Sequence, residues 1–476
     1  MNRGDVPGYE FEVPRGPRHA SGPRHALDHD SMRHLQRVPA EEESRSSVRA
    51  ASSGVLDVMR NKNWLVGLAA PILAAIAVGI AVVVIAGGGG GAGAAPSALA
   101  AGFPPARPAG AGFAGSRVIL TAIGADAGTE VTAGGVNGGP ALWDSSDGGT
   151  DWTRAVLQGP AALTRAGAGQ LAEVAHGPAG WLAVGTTIAG TGGPLVASSP
   201  TGSTWTVTSG IAGSGAGYTA TGVAAGPAAY VIVGRQSVGH SGTTAATAWY
   251  SPGLTGWRRA TISQLGTAGG GTAMMNGVTA TSAGFVAVGT MGTDPAAWLS
   301  ATGQAWRQVA VPAPANSARA ALDYVAANGN DLVAAGTEFS AAGASYPFAE
   351  VSADAGTTWT QVQLPVPVTG PGTGTTVTAL TAAGGGFTAV GTYVTRAGPE
   401  VVIWTLPPGA QGAAAAAWTA VSPQGVGLAS GTTENAITAL TADGATLTGV
   451  GFTAKLTSPD TAGAEEPTLW QSPIRY

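Results

Sequence analysis

One phrase recurs seven times between residues 129 and 476: an apolar run that ends in glycine. The copies close at Gly135 (EVTAGG), Gly185 (WLAVG), Gly234 (YVIVG), Gly289 (FVAVG), Gly336 (LVAAG), Gly391 (FTAVG) and Gly451 (LTGVG), at intervals of 50, 49, 55, 47, 55 and 60 residues. A period near 50 built of short alternating runs is the pattern of a β-propeller blade. No i, i+3, i+4 apolar spacing survives the glycines, which excludes helical repeats. With 76 glycines among 476 residues and only 10% charged residues, the chain suits many turns between thin strands.

A weaker strand and a turn precede each copy, as in TVTALTAAGG (376–385) and ITALTADGA (437–445). A third strand follows, carrying Trp143, Trp249, Trp298, Trp404 and Trp470, with Val196 and Glu350 at the equivalent points of the second and fifth copies. A tight turn then leads to a second aromatic column: Trp152, Trp205, Trp257, Trp306, Trp359 and Trp418. One residue type repeated in nearly every copy argues for packing between sheets rather than for a ligand platform. In the turns SSDGGTDW and SADAGTTW, Asp147 and Asp354 are placed to accept backbone N–H bonds, and Gly149 and Gly356 supply a conformation that side chains resist. Trp152 and Trp359 then open the outer strand.

These two turns resemble the Asp-box, S-x-D-x-G-x-T-W, of sialidases, sortilin-type receptors and seven-bladed assembly factors of the photosystem II type. The match is complete at Ser352 and departs at the first copy only by Asp151 in place of Thr. The resemblance implies an all-β, seven-bladed propeller over residues 117–476, with the Asp-box turns on the face opposite a ligand site. It transfers the fold and no catalytic residue. The seventh copy ends at Tyr476 without an outer strand. Propellers commonly cover such an edge by borrowing a strand from the other terminus. Spacing points to Phe103 in AAGFPPARP, with Phe113 in GAGFAG as the competing register.

Upstream, residues 65–86 form 22 positions without a charge, which at 1.5 Å per residue span roughly 30 Å and read as one transmembrane helix. Arg45, Arg49, Arg60 and Lys62 precede it and the next basic residue is Arg107. The positive-inside rule therefore expects a retained signal anchor in the cell membrane, with a cytoplasmic N-terminus and an extracellular C-terminal domain. Residues 1–60 are polar, poor in large apolar side chains, and read as a disordered cytoplasmic tail whose repeated GPRHA is a solvated segment. Residues 87–116, rich in Gly, Ala and Pro, read as a stalk that also offers the closing strand near 103. The absence of cysteine excludes disulfides, thiolate metal sites and a lipoprotein anchor. Low charge with abundant Gly, Ala and Thr resembles proteins of high-GC bacteria such as actinobacteria, where the outer domain would face the cell envelope.

Catalytic chemistry finds little support. A sialidase-like site implies converging arginines, a Tyr–Glu pair and an acid/base Asp, whereas Arg154, Arg258, Arg259 and Arg307 adjoin the outer tryptophan column. There is no G-x-S-x-G and no D-x-D-x-D-G run. Glu173, His176, Asp323 and Tyr324 fall on first strands and are candidates to line the central channel. Beyond the apolar segment the chain holds 12 basic and 18 acidic residues, which argues against nucleic acid as a partner. No catalytic residue, cofactor or metal ligand is expected.

What varies between copies is the connection of the second and third strands, and unequal loops on a rigid scaffold are where binding surfaces arise. Arg235, His240, Glu338, Tyr346, Tyr393, Arg396 and Lys455 are the candidate binding residues there. The expected function is a membrane-anchored, extracytoplasmic module that binds or assembles a protein or cell-wall glycan. A glycan-cleaving hydrolase of sialidase-like fold and a purely structural envelope protein are the alternatives.

Overall fold

Each glycine-ended run pairs with its flanking strands into a separate antiparallel sheet, and seven such sheets follow one another along the chain. The computed structural model describes residues 107–108, 111–113, 117–187, 193–238, 243–263, 272–366, 374–395, 398–409, 418–421, 433–458 and 461–474. The tail (1–60), the apolar segment (65–86), Phe103, His240 and Arg396 lie outside the described residues. Among the described residues no helix is long and apolar enough to cross a membrane.

Blades are numbered here in chain order, and strands outward from the axis. The first strands are Val118–Asp126, Gly169–Gly177, Tyr218–Ala225, Ala273–Thr281, Ser317–Asn328, Thr375–Ala383 and Thr433–Asp443. Each packs against the first strands of two neighbours, and the last against the first, so the sheets close into a seven-bladed propeller around an axial channel. The third-strand tryptophans Trp143, Trp249, Trp298, Trp404 and Trp470 are at most 1% exposed, filling the spaces between blades. Trp181, on the second strand of blade 2, belongs to neither column and is also buried. Two short strands were not legible in the sequence: Val156–Gln158 and Thr261–Ser263 pair in parallel with the outer strands of blades 2 and 4. They tie blade 1 to blade 2 and blade 3 to blade 4.

Blade 7 consists of Thr433–Asp443, Thr446–Ser458 and Thr461–Pro473, and its outermost member comes from far upstream. Arg107 pairs with Leu469 and Pro108 with Thr468 in antiparallel register. The chain then makes a single 3-10 turn, Ala111–Phe113, that drives Phe113 between blades 7 and 1. Its ring stacks on Trp143 at 4.9 Å, and the Trp143 indole N–H donates to the Gly112 carbonyl at 2.8 Å. A Cβ at Gly112 would lie 2.1 Å from the Trp152 carbonyl oxygen, so only glycine fits. Polar bonds complete this seam: Thr448 Oγ1 donates to Glu130 Oε1 at 2.8 Å, and Gln471 Nε2 to the Gly148 carbonyl at 2.6 Å. The Gly128 N–H donates to Asp443 Oδ2 at 2.5 Å.

In the two Asp-box turns the carboxylate organises the backbone. Asp147 Oδ1 accepts from the N–H groups of Thr150 and Asp151 at 3.0 and 2.9 Å, while Ser145 Oγ accepts from Gly149 N–H at 3.0 Å. The Asp151 N–H foremost, then the Ser145 hydroxyl donating to Oδ1 at 2.7 Å and the Thr150 N–H, hold the Asp147 carboxyl below its ordinary range. For Asp354 partial burial acts upward, and the Thr358 N–H and hydroxyl together with Ser352 outweigh it. Backbone bonds from Gly148 N–H to Gly128 and from Ala355 N–H to Asn330 put both turns beside the first-to-second strand turns. The two ends of the ring thus differ: one carries these turns (the turn face), the other the second-to-third strand hairpins (the hairpin face).

Candidate functional site

The channel is built from one local irregularity repeated in every blade. Each first strand carries a bulge, at Thr121, Ala172, Thr221, Asn276, Asp323, Thr378 and Thr438. In blades 1, 3, 4, 6 and 7 the side chain of the extra residue bonds across to the next blade. Thr121 donates to the Leu171 carbonyl at 2.8 Å, Thr221 to Met275 at 2.6 Å, Thr378 to Ile437 at 2.8 Å, and Thr438 to Leu120 at 2.8 Å. Asn276 replaces Thr in blade 4 and reaches both the Leu322 carbonyl and Asp323 Oδ1, each at 3.0 Å.

The residue after the bulge sits at the same level of the channel, and blades 2 and 5 put Glu173 and Tyr324 there. Enclosure strips water from Glu173 and pushes its carboxyl up to about 7, against the pull of the Val174 N–H at 3.2 Å. Asp323 is likewise pushed up to about 7 by desolvation, opposed by the bond from Asn276. Burial raises the Tyr324 phenol first, and the charges of Asp323 and Glu173 raise it further, so the three groups share one field across the axis. Toward the turn face the channel opens into a cavity of about 380 Å³ whose accessible lining is mostly polar, edged by Asp126, His176, Thr279, Thr381 and Thr441, while Ile123, Val174 and Leu440 also belong to the cores between blades. At its mouth His176 Nδ1 lies 3.2 Å from Asp126 Oδ2, with the imidazole against the Trp181 ring at 4.6 Å.

At the hairpin face, segments expected as loops are continuations of the strands. Glu338 pairs across from Tyr346, and Tyr393 from Glu400. Tyr346 is 44% exposed, whereas Glu338 is buried and its carboxyl is raised by that burial. Tyr393 is buried too, its hydroxyl donating to Glu400 Oε2 at 2.5 Å. Arg235 is half-buried against Met274 Sδ at 3.7 Å, meets no carboxylate among the described residues, and its guanidinium is lowered by desolvation. Lys455 is exposed opposite Thr433. Arg235 on blade 3, Glu338 and Tyr346 on blade 5, Tyr393 on blade 6 and Lys455 on blade 7 thus stand around the rim without converging on one point. Arg154, Arg258, Arg259 and Arg307 are exposed on outer strands, away from the axis.

The bulge layer carries one sequence signal that points to it. Five blades keep Ala or Gly directly after the bulge, and Glu173 and Tyr324 break that rule. Asn276 gave no such signal, because its neighbour Asp323 is 47 residues away.

No family model matches the chain, and neither does any curated protein. Solved structures similar to it include YCF48 bound to D1 peptide, at 12% identity and a TM-score of 0.44 over 78% of this chain and 96% of that one. A sialidase of Trypanosoma rangeli in complex with the inhibitor DANA has 10% identity and a TM-score of 0.38, over 75% of this chain and 55% of the sialidase. A protein of unknown function from Dyadobacter fermentans has 11% identity and a TM-score of 0.43, over 78% of this chain and 100% of that one. The chain spans about half the length of the sialidase. Likeness at this level concerns fold alone, and the seven-bladed ring rests on the strand pairing of the chain itself.

Proposed function

We propose that the chain is a membrane-anchored propeller, held by residues 65–86, that binds a protein or glycan partner outside the cell through its hairpin face. The observation that carries this reading is the unequal height of that face. The hairpin of blade 4 turns directly from Met291 to Asp294, whereas those of blades 5 and 6 are longer and that of blade 7 runs to 13-residue strands. A ring of equal blades needs no such asymmetry for packing. Tyr346 at 44%, Val394 at 38% and Val238 at 45% exposure give these hairpins apolar contact area, and Arg235 adds a cation with no carboxylate beside it among the described residues. Exposed aromatic and arginine side chains are what binding surfaces concentrate.

The test is cross-linking of the full-length protein in its own membranes. One partner should be captured by the natural chain and lost on Tyr346→Ser or Arg235→Ala, but kept on Thr357→Ala at the opposite face. Equal capture by all four proteins would defeat the assignment. Protease added to intact cells should remove the propeller, and a fully protected propeller would defeat the orientation.

A further inference from the structure

Charge is divided unevenly around the ring. Beyond the apolar segment, all 18 acidic residues lie outside the span from Val174 to Thr293, which runs from the first strand of blade 2 to the hairpin of blade 4. Arg235, Arg258 and Arg259 fall inside that span, so this sector is positive while the rest of the propeller is negative. A surface of one sign concentrates ligands of the other.

Within the sector Arg259, on the outer strand of blade 3, is exposed yet held in place. Its guanidinium donates to the Tyr218 hydroxyl and to Gln236 Oε1, each at 2.9 Å, and lies 5.3 Å from the centre of the Tyr218 ring. The connection from blade 2, residues 210–217, runs along its stem, where a Cβ at Gly213 would stand 3.2 Å from Arg259 Cβ. A neutral hydroxyl, a neutral amide and an aromatic ring fix the group without cancelling its charge. These two bonds leave donors of the five-donor guanidinium unspent. Among the described residues no carboxylate meets it.

We propose that this groove between blades 2 and 3 binds the carboxylate groups of an acidic polysaccharide, with Arg259 as the contact and Tyr218 and Gln236 as its positioning residues. A carboxylate brings the acceptors and the negative charge that the held guanidinium lacks. The surroundings suit a sugar better than a peptide. Ser209 and Ser214 in the adjoining chain, with Gln236, offer polar groups to sugar hydroxyls. Pockets for peptide side chains need apolar walls, and among the described residues Val238 is the one exposed large apolar side chain of the span. The site includes neither Tyr346 nor Arg235, so it stands or falls separately from the partner capture proposed for the hairpin face.

Titration of the full-length protein in detergent with oligogalacturonate, followed by calorimetry, tests it. The oligomer should bind, more weakly as ionic strength rises, and a neutral oligosaccharide of equal length should not. Arg259→Gln should weaken binding about ten-fold or more, the loss expected for a charged hydrogen-bonded contact, and Tyr218→Phe about three-fold. Arg307→Gln removes the same charge from the exposed outer strand of blade 4 and should leave affinity unchanged. Arg259→Lys keeps charge and stem without the planar fork, and should fall between the natural protein and Arg259→Gln. Melting curves report whether each variant is folded. Absence of binding, equal binding of the neutral oligosaccharide, tighter binding of inorganic phosphate or oligoaspartate, unchanged affinity in Arg259→Gln, or an equal loss in Arg307→Gln would each overturn the proposal.

Discussion

Glu350 occupies the third-strand position that five other blades give to tryptophan, and it is wholly buried with neither carboxyl oxygen bonded. Burial pushes it up to about 8 from an ordinary 4.5. The unfolded chain therefore loses this proton near pH 4.5 while the folded chain keeps it to about 8, so stability falls as pH rises through that window. Glu350→Gln should flatten this fall and raise the stability at pH 8 by on the order of a few kcal/mol, read as a higher melting temperature in thermal melts across pH. An unaltered slope would assign the effect elsewhere. The equivalence of Glu350 to a tryptophan was legible in the sequence. Its protonation was not, because that depends on the adjoining blade. Ala355 is a second residue-scale case: it holds a φ of 56° where the matching turn of blade 1 has Gly148 at 65°. Ala355→Gly should stabilise the protein by about 1 kcal/mol, measured by denaturant unfolding.

At the level of the strand, the bulge is the unit that joins blades. Thr438 crosses the seam to Leu120 at 2.8 Å, and Ala172 in blade 2 has no hydroxyl with which to do the same toward blade 3. Thr438→Val should cost about 1 kcal/mol and Ala172→Thr should return a similar amount, both read from urea midpoints at unchanged slope. Opposite outcomes for the pair would mean that these hydroxyls do not act through the neighbouring carbonyl. Sequence alone conveyed the strands but not their bulges, since a residue more or less in a Thr-Ala-rich run leaves the alternation readable either way. The hairpins were obscured for a related reason. TEFSAAGASY has the Gly, Ala and Ser content of a loop, yet Phe339 pairs with Ser345 and only a short turn separates them. The parallel strands Val156–Gln158 and Thr261–Ser263 exist only because another blade presents an edge, which no local pattern can announce.

For the whole molecule, the period of glycines and the two tryptophan columns were sufficient to give seven blades and the order of strands within them. The channel layer was only half legible: Glu173 and Asp323 are 150 positions apart in sequence, and ring closure alone brings them into one field. Closure itself depends on Phe113, which is 3% exposed and packed on Trp143. Phe113→Ala should destabilise the propeller by about 3 to 5 kcal/mol, with unfolding remaining a single transition if the ring acts as one unit. The same closure has a mechanical consequence. A pull on the chain upstream of Arg107 is delivered to the rim of the last sheet, where among the described residues Arg107 pairs with Leu469 and Pro108 with Thr468, and it peels these pairs one after the other. The load then meets the aromatic plug at Phe113, seated under the Trp152 carbonyl at Gly112. Tension on that side of the chain is thus borne by a zipper backed by a stopper, and the six other sheets remain outside the line of force until the stopper is drawn.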